Sequence, residues 1–200
     1  EVANAFCAVR PCGHHATYNR PMGFCIFNNV AVGAAHALAE HGLDRIAILD
    51  FDVHHGNGTE DIFYSDERVM LCSSFQHPYY PGSGADSGNA HIIPTPLPAR
   101  TGSAPFRAAI ESTWFPALEA FGPELIIVSA GFDAHADDPL AYLELREDDY
   151  RWITTRICDV ARRRCQGRVV SALEGGYNLT ALGRSAVAHV EVLLDAVLST

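Results

Sequence analysis

The sequence has no run of eighteen apolar residues, so it offers no helix built to span a bilayer and no membrane partner is expected. Residues Glu1-Val2-Ala3-Asn4-Ala5 lack the basic and apolar regions of a secretory leader. No two cysteines stand at Cys-x-x-Cys spacing. The six present (Cys7, Cys12, Cys25, Cys72, Cys158 and Cys165) are scattered, which reads as reduced thiols in a cytoplasmic protein rather than a disulfide framework. Positive charge is also scarce, with 14 Lys and Arg against 24 Asp and Glu and a formal net charge of −10. That balance argues against direct nucleic-acid binding and is compatible with a cationic partner. Internal repeats, low-complexity tracts and linkers are missing too, so residues 1–200 read as one domain, long enough to bury a full core.

What is present centres on Ile46-Ala47-Ile48-Leu49-Asp50-Phe51-Asp52-Val53-His54-His55-Gly56-Asn57-Gly58. Four apolar residues read as a parallel strand buried on both faces, and they run directly into metal-ligand side chains. Ligands of open α/β sheets bind beyond the carboxyl ends of the strands, where this cluster falls. Asp50, Asp52 and His54 alternate with Phe51 and Val53, which in an extended chain sets the three polar side chains on one side.

Around this stretch, helix and strand signals alternate. A loop with adjacent His14 and His15 follows Pro11 and Gly13. Asn28 or Asn29 caps a helix over about 30–41, with Val30, Ala34, Ala37 and Leu38 as its apolar face and Gly42 as its stop. A short helix is expected over 58–65 and a strand over 69–75. A long aromatic loop from Gln76 to Gly84 suits a pocket wall. Residues 91–98, broken by Pro94, Pro96 and Pro98, read as an irregular or edge segment. A helix over 103–121 carries Pro116, expected to kink or divide it. Strands over 124–130 and 168–173 flank a helix over 148–164, and a final amphipathic helix covers about 180–198. Three strands then finish in polar residues: Asp50, Asp52 and His54; Asp133; and Gly175-Gly176-Tyr177. A parallel sheet gathers such ends on one rim.

Two carboxylates and an imidazole, Asp52, Asp133 and His54, with an open fourth position make a catalytic metal site rather than a closed structural one. Zinc is the first choice, and oxygen-rich ligation also admits Fe(II) or Mn(II). A metal acidifies bound water and polarises a carbonyl. His15 can take a proton from water and return it to a leaving amine, and Tyr177 can donate to an oxyanion. These are the parts of a metal-assisted amide hydrolase.

At this point the sequence resembles a family. Arg10-Pro11-Cys12-Gly13-His14-His15-Ala16, Gly23-Phe24-Cys25, Asp50 to Thr59, Ser129 to His135 and Glu174-Gly175-Gly176-Tyr177 are similar to the signature motifs of the zinc-dependent histone deacetylase superfamily, in that family's order. That superfamily includes bacterial acetylpolyamine amidohydrolases and acetoin-utilisation proteins. The resemblance implies the arginase/deacetylase α/β fold, a parallel sheet flanked by helices in three layers. It implies Asp52, His54 and Asp133 as zinc ligands, His15 as general base and acid, and His14 as its electrostatic neighbour. Asp50 would hold His14, Asn57 would orient His15, and Tyr177 would polarise the acetyl carbonyl. Gly23, Phe24 and Tyr80 would line the substrate channel, with Leu140 at its rim, where an apolar residue leans towards acetyl-lysine in a protein and away from a small acetylated amine. A catalytically silent acetyl-lysine binding module is the remaining reading. The resemblance further implies potassium at Asp50, with carbonyls of Asp52, His54, Ser73 and Ser74, and a second potassium around Phe63, Asp66 and Val69. Cys12 departs from the family's usual second proline. Family domains also carry a substantial segment ahead of the His-His motif, which implies that this chain is an N-terminally incomplete catalytic domain.

Overall fold

The computed structural model describes residues 2–198. It begins with strand β1 (Asn4–Cys7), helix α1 (Asn29–His41), β2 (Ile46–Asp50), α2 (Asn57–Phe63), β3 (Val69–Gln76) and β4 (Ile92–Leu97). It continues with α3 (Ser103–Phe121), β5 (Leu125–Ala130), α4 (Glu147–Arg164), β6 (Val169–Leu173) and α5 (Leu179–Leu198). The six strands form one parallel sheet in the order β1-β6-β5-β2-β3-β4.

β2 lies inside this sheet, paired with β5 on one side and β3 on the other, and all five of its residues are buried. Its alternating side chains serve two cores. Ile46 and Ile48 join Val69, Leu71 and Ile127 against Val30, Ala34 and Ala37 of α1 and Phe63 of α2. Ala47 and Leu49 join Met70, Cys72, Ile126 and Val128 against Phe106, Ile110 and Trp114 of α3, Tyr150 and Ile153 of α4 and Leu193 of α5. Each of the larger of these side chains, the Val, Leu, Ile, Met and Phe, contributes about 1.5–3 kcal/mol by leaving water. The result is the expected three-layer α/β/α arrangement. No helix among the described residues is long and apolar enough to cross a membrane.

Local signals set most boundaries. Asn28 caps α1, its Oδ1 accepting from Ala31 N–H at 3.0 Å, and Gly42 closes the helix at φ 62°. Pro116 does not divide α3, because it sits on the solvent side. The carbonyl of Ser112 that loses a partner there belongs to an exposed residue and can be hydrated. The segment 91–98, open to an irregular or an edge reading, holds the regular edge strand β4 (Ile92–Leu97). The carbonyls of His91 and Leu97 accept from Leu71 and His77, so odd-numbered residues face β3. Pro94 and Pro96 therefore turn their hydrogen-free nitrogens to the open edge, where proline is tolerated. β1 escapes a sequence reading because it is four half-buried residues held on one side only, by β6.

Asp149 ties α3 to α4. It is fully buried, and its carboxylate accepts from Ser103 Oγ at 2.7 Å, Arg107 Nε at 2.8 Å and Arg146 N–H at 3.0 Å. Asp149→Ala should lower unfolding free energy by about 3 kcal/mol, the low end for breaking a buried ion pair, because Arg107 keeps some access to water. Asp149→Asn should recover part of that. Urea denaturation at constant slope measures both; a loss below about 1 kcal/mol for the alanine variant would remove this link from the account.

Candidate active site

β5 stands between β6 and β2, so the carboxyl ends of these three strands are neighbours and the loops after them converge. β2 ends at Asp50, and the chain does not continue extended as the alternation suggested. Asp50 Oδ1 accepts from Asp52 N–H at 3.1 Å, and Asp52 Oδ1 accepts from His54 N–H at 2.9 Å. Two successive side-chain turns therefore bend the segment, because short carboxylates reach backbone donors two residues on. Asp50 is thereby separated from the other two and faces His14 instead, its Oδ2 2.8 Å from His14 Nδ1.

Asp52, His54 and Asp133 do converge, each offering a ligand atom within 4.8 Å of the others. His54 Nδ1 lies 3.0 Å from Asp52 Oδ1 and 3.2 Å from Asp133 Oδ2. Backbone donors hold the carboxylates: Val53 N–H gives to Asp133 Oδ1 at 2.9 Å and Gly175 N–H to Asp52 Oδ2 at 2.8 Å. Gly175 must be glycine, since a Cβ there would stand 2.0 Å from Asp133 Oδ2. That oxygen is buried and, despite its approach to His54, has no partner of hydrogen-bond geometry. Burial and the Asp52 charge push the Asp133 carboxyl up to about 6. Burial also opposes ionisation of Asp52, yet the histidines beside it hold its carboxyl below the usual range. Burial works against a charged His54 too, and the two carboxylates overcome it and raise the ring to about 10. Two anionic oxygens, an imidazole nitrogen and an unpartnered buried lone pair fit a divalent cation with zinc-like preferences.

The two histidines of the loop are neighbours with opposite character. His14 is buried among Asp50, Asp52 and Glu174. Burial alone would lower it, but the three carboxylates raise it well above its ordinary value. His15 is lowered to about 3 by burial and by the neighbouring His14 charge. It is therefore neutral near pH 7, with a tautomer set by Asn57, whose Oδ1 lies 2.7 Å from His15 Nδ1. An amide oxygen only accepts, so Nδ1 carries the hydrogen and Nε2 keeps its lone pair.

His15, Gly23, Phe24, His54, Tyr79, Tyr80, Leu140 and Tyr177 enclose a cavity of about 470 Å³. Gly23 and Phe24 are the central residues of a tight turn in which Cys25 N–H gives to Met22 O at 2.9 Å. Their φ values are 57° and 66°. Glycine accepts this, and a Cβ on Gly23 would meet the His15 ring at 2.2 Å. A phenylalanine there is strained, and its side chain is 74% exposed, with its ring 6.1 Å from that of Tyr177. Burial raises the Tyr177 phenol above its ordinary value, aided by the charges of Asp52 and Asp133, so it stays a hydrogen-bond donor.

Three contributors carry no separate signal in the sequence. Glu174 is buried under the histidine loop and accepts from Gly13 N–H at 2.6 Å, His14 N–H at 3.2 Å and Ser129 Oγ at 3.1 Å. Tyr79, beside the expected Tyr80, stacks on His54 at 5.9 Å and gives its hydroxyl to Leu140 O at 2.7 Å. Asp138 accepts from Tyr177 N–H at 2.7 Å and so fixes the tyrosine's backbone. Of the positions tied to potassium, Asp50 and Ser73 pair across β2 and β3, and Ser74 is buried beside them. The Phe63 carbonyl accepts from Asp66 N–H and lies 3.0 Å from His91 Nε2, while the Asp66 carbonyl accepts from Val69 N–H.

This arrangement matches known proteins. The histone deacetylase domain family matches residues 1–193. The chain is 46% identical over 186 residues to "Histone deacetylase 10, chloroplastic" of Oryza sativa subsp. japonica, covering 90% of this chain and 42% of that protein. It is 43% identical over 185 residues to "Histone deacetylase-like amidohydrolase" of Pseudomonas aeruginosa, covering 89% and 49%. The crystal structure of the HDA15 HD domain superposes with a TM-score of 0.90 at 38% identity, covering 96% of this chain and 56% of that one. The chain thus spans about half the length of these relatives, and the chloroplast in the rice protein's name gives no support to a cytoplasmic location. Family match, sequence identity and fold agree: the chain belongs to the histone deacetylase family, whose members act as deacetylases and related amidohydrolases.

Proposed function

We propose that this chain is the catalytic core of a zinc-dependent deacetylase that hydrolyses the acetyl amide of acetylated lysine in proteins. The observation that carries the reading is that one cavity is lined by His15, His54 and Tyr177, with Asp52 and Asp133 beneath it. In this reading Asp52, His54 and Asp133 hold the metal, and ferrous iron suits the same donors. When bound, zinc supplies a Lewis acid that polarises the acetyl carbonyl and makes water more acidic. His15 Nε2 takes the proton of the attacking water and returns it to the departing lysine amine. His14, charged and held by Asp50, supports the developing negative charge, while Asn57 keeps His15 in its tautomer. Tyr177 gives its phenolic hydrogen to the carbonyl oxygen as charge builds there. Potassium at the two sets of positions named above is part of the same reading.

The channel lining also favours acetyl-lysine over an acetylpolyamine. Phe24, Tyr79, Tyr80 and Leu140 offer apolar surface suited to four methylenes, and the described residues that line the cavity include no carboxylate to receive a second amine.

Acetate release from an acetyl-lysine peptide tests this reading. The sequence contains no lysine, so the signal carries nothing from the enzyme's own side chains. Turnover should require zinc and vanish with a chelator. His15→Ala and Tyr177→Phe should each lower kcat by about 10²–10³-fold with little change in melting temperature. A folded, zinc-loaded chain without turnover would sink the assignment, and a higher kcat/KM for an acetylpolyamine would move the substrate class.

Phe24 supplies a second check. Phe24→Gly removes a strained positive φ and a channel wall together. It should hold or raise stability by about 1 kcal/mol while raising KM for the peptide severalfold. Thermal melting and steady-state kinetics on one preparation separate the two effects; a lower melting temperature would deny the strain.

A further inference from the structure

Beneath the channel floor lies a second reactive pair that the deacetylation chemistry does not use. Cys25 Sγ is 3.4 Å from Cys12 Sγ, the one sulfur–sulfur contact among the described residues. Both side chains are buried, and with Ala16 they form a small apolar cluster of their own. Both sulfurs also approach one carbonyl, that of Gly23, at 3.7 and 3.3 Å. The pair spans the catalytic loop: Cys12 leads through Gly13 into His14 and His15, and Cys25 closes the turn that carries Gly23 and Phe24. Any change in the sulfur separation therefore acts on His15 from both sides, since the Gly23 backbone already packs on its ring.

We propose that Cys12 and Cys25 are a redox-sensitive dithiol that a hydroperoxide converts to a disulfide, displacing His15 and switching the site off. Gly23, whose carbonyl both sulfurs approach, lines the cavity, so hydrogen peroxide there is one residue away from the pair. The Cys12 thiolate attacks one peroxide oxygen. The O–O bond breaks, hydroxide leaves and takes up a proton, and Cys12 becomes a sulfenic acid. The Cys25 sulfur then attacks the sulfenic sulfur. The S–S bond forms, the S–O bond breaks, and the oxygen departs as water with the Cys25 proton. Two thiols are oxidised by two electrons, and one peroxide is reduced to two waters. Cys12 suits the first step, because the hydrogen bond from Cys25 lowers its thiol below the ordinary value while Cys25 itself is raised.

A disulfide needs about 2.0 Å between the sulfurs, so the pair must close from its present separation and drag both ends of the loop. The same sulfurs and Glu174 also lie within metal-binding reach of one another. Against that use, both Glu174 oxygens are already engaged, by Gly13, His14 and Ser129.

The effect on turnover rests on the deacetylase reading, but formation of the bond does not. Zinc-loaded chain is treated with hydrogen peroxide, freed of it, denatured in alkylating reagent and cut by chymotrypsin, which separates the two cysteines at Tyr18. The expected product is a Cys12–Cys25 cross-linked peptide pair that dithiothreitol releases. Turnover on the acetyl-lysine peptide should fall about tenfold or more and recover on reduction, the scale expected for an ångström-sized misplacement of a catalytic group. Cys12→Ala and Cys25→Ala should form no such cross-link and keep their turnover through peroxide. Recovery of both cysteines alkylated after peroxide would overturn the proposal, as would equal peroxide sensitivity in the alanine variants. So would a second equivalent of zinc per chain that Cys12→Ala abolishes. A reduced chain with no turnover counts against the deacetylase reading alone, and the cross-link still decides this one.

Discussion

The structure depends on stabilising several ionisable groups without water at the carboxyl rim of the sheet. Asp50, Asp52, Asp133, Glu174 and His14 are all buried there. Isolated charges in such a place are strongly disfavoured, so each carboxylate is held by backbone N–H groups, by a histidine or by both. Asp52 takes the N–H groups of His54 and Gly175, Asp133 that of Val53, and Glu174 those of Gly13 and His14. These donors come from three separate loops, and Asp133 joins a fourth to them. The electrostatic requirement of the site therefore also locks the loops to one another, and the two hydrophobic cores fix the strands that deliver them.

Much of this was legible in the sequence because one physical rule covered it. Short apolar runs such as Ile46 to Leu49 and Leu125 to Val128, separated by helical patterns with caps, read directly as parallel strands and crossover helices. The capping by Asn28 and Gly42 fell where local chemistry puts it. What escaped has equally physical reasons. β1 is too short and too exposed to carry a pattern. The prolines of 91–98 left an irregular segment and an edge strand both open; the edge reading holds, and the way alternate nitrogens face was what a sequence does not reveal. The turn after Asp50 was hidden because alternation of polar and apolar residues suggests an extended chain, while aspartates bonding to backbone two residues on bend it. Glu174 and Asp138 serve backbone groups far away in sequence, and only tertiary structure supplies those partners.

The neighbouring histidines show how one residue type is given two tasks. His14 and His15 have ring centroids 4.0 Å apart. Three carboxylates around His14 keep it protonated, and that charge, together with burial, keeps His15 neutral. Replacing the amide of Asn57 by a carboxylate would reverse part of this, because an anion 2.7 Å from His15 Nδ1 would favour the imidazolium. With an amide there the hydrogen bond selects the tautomer without adding charge. In the proposed reading His15 is therefore a weak base at the cavity wall, and most of the activation of water falls to a cation held by Asp52, His54 and Asp133. A chain with this balance gains little from a stronger base, and depends instead on keeping His15 in place. That requirement matches the close packing of Gly23 on the His15 ring, where an added Cβ would stand 2.2 Å from it.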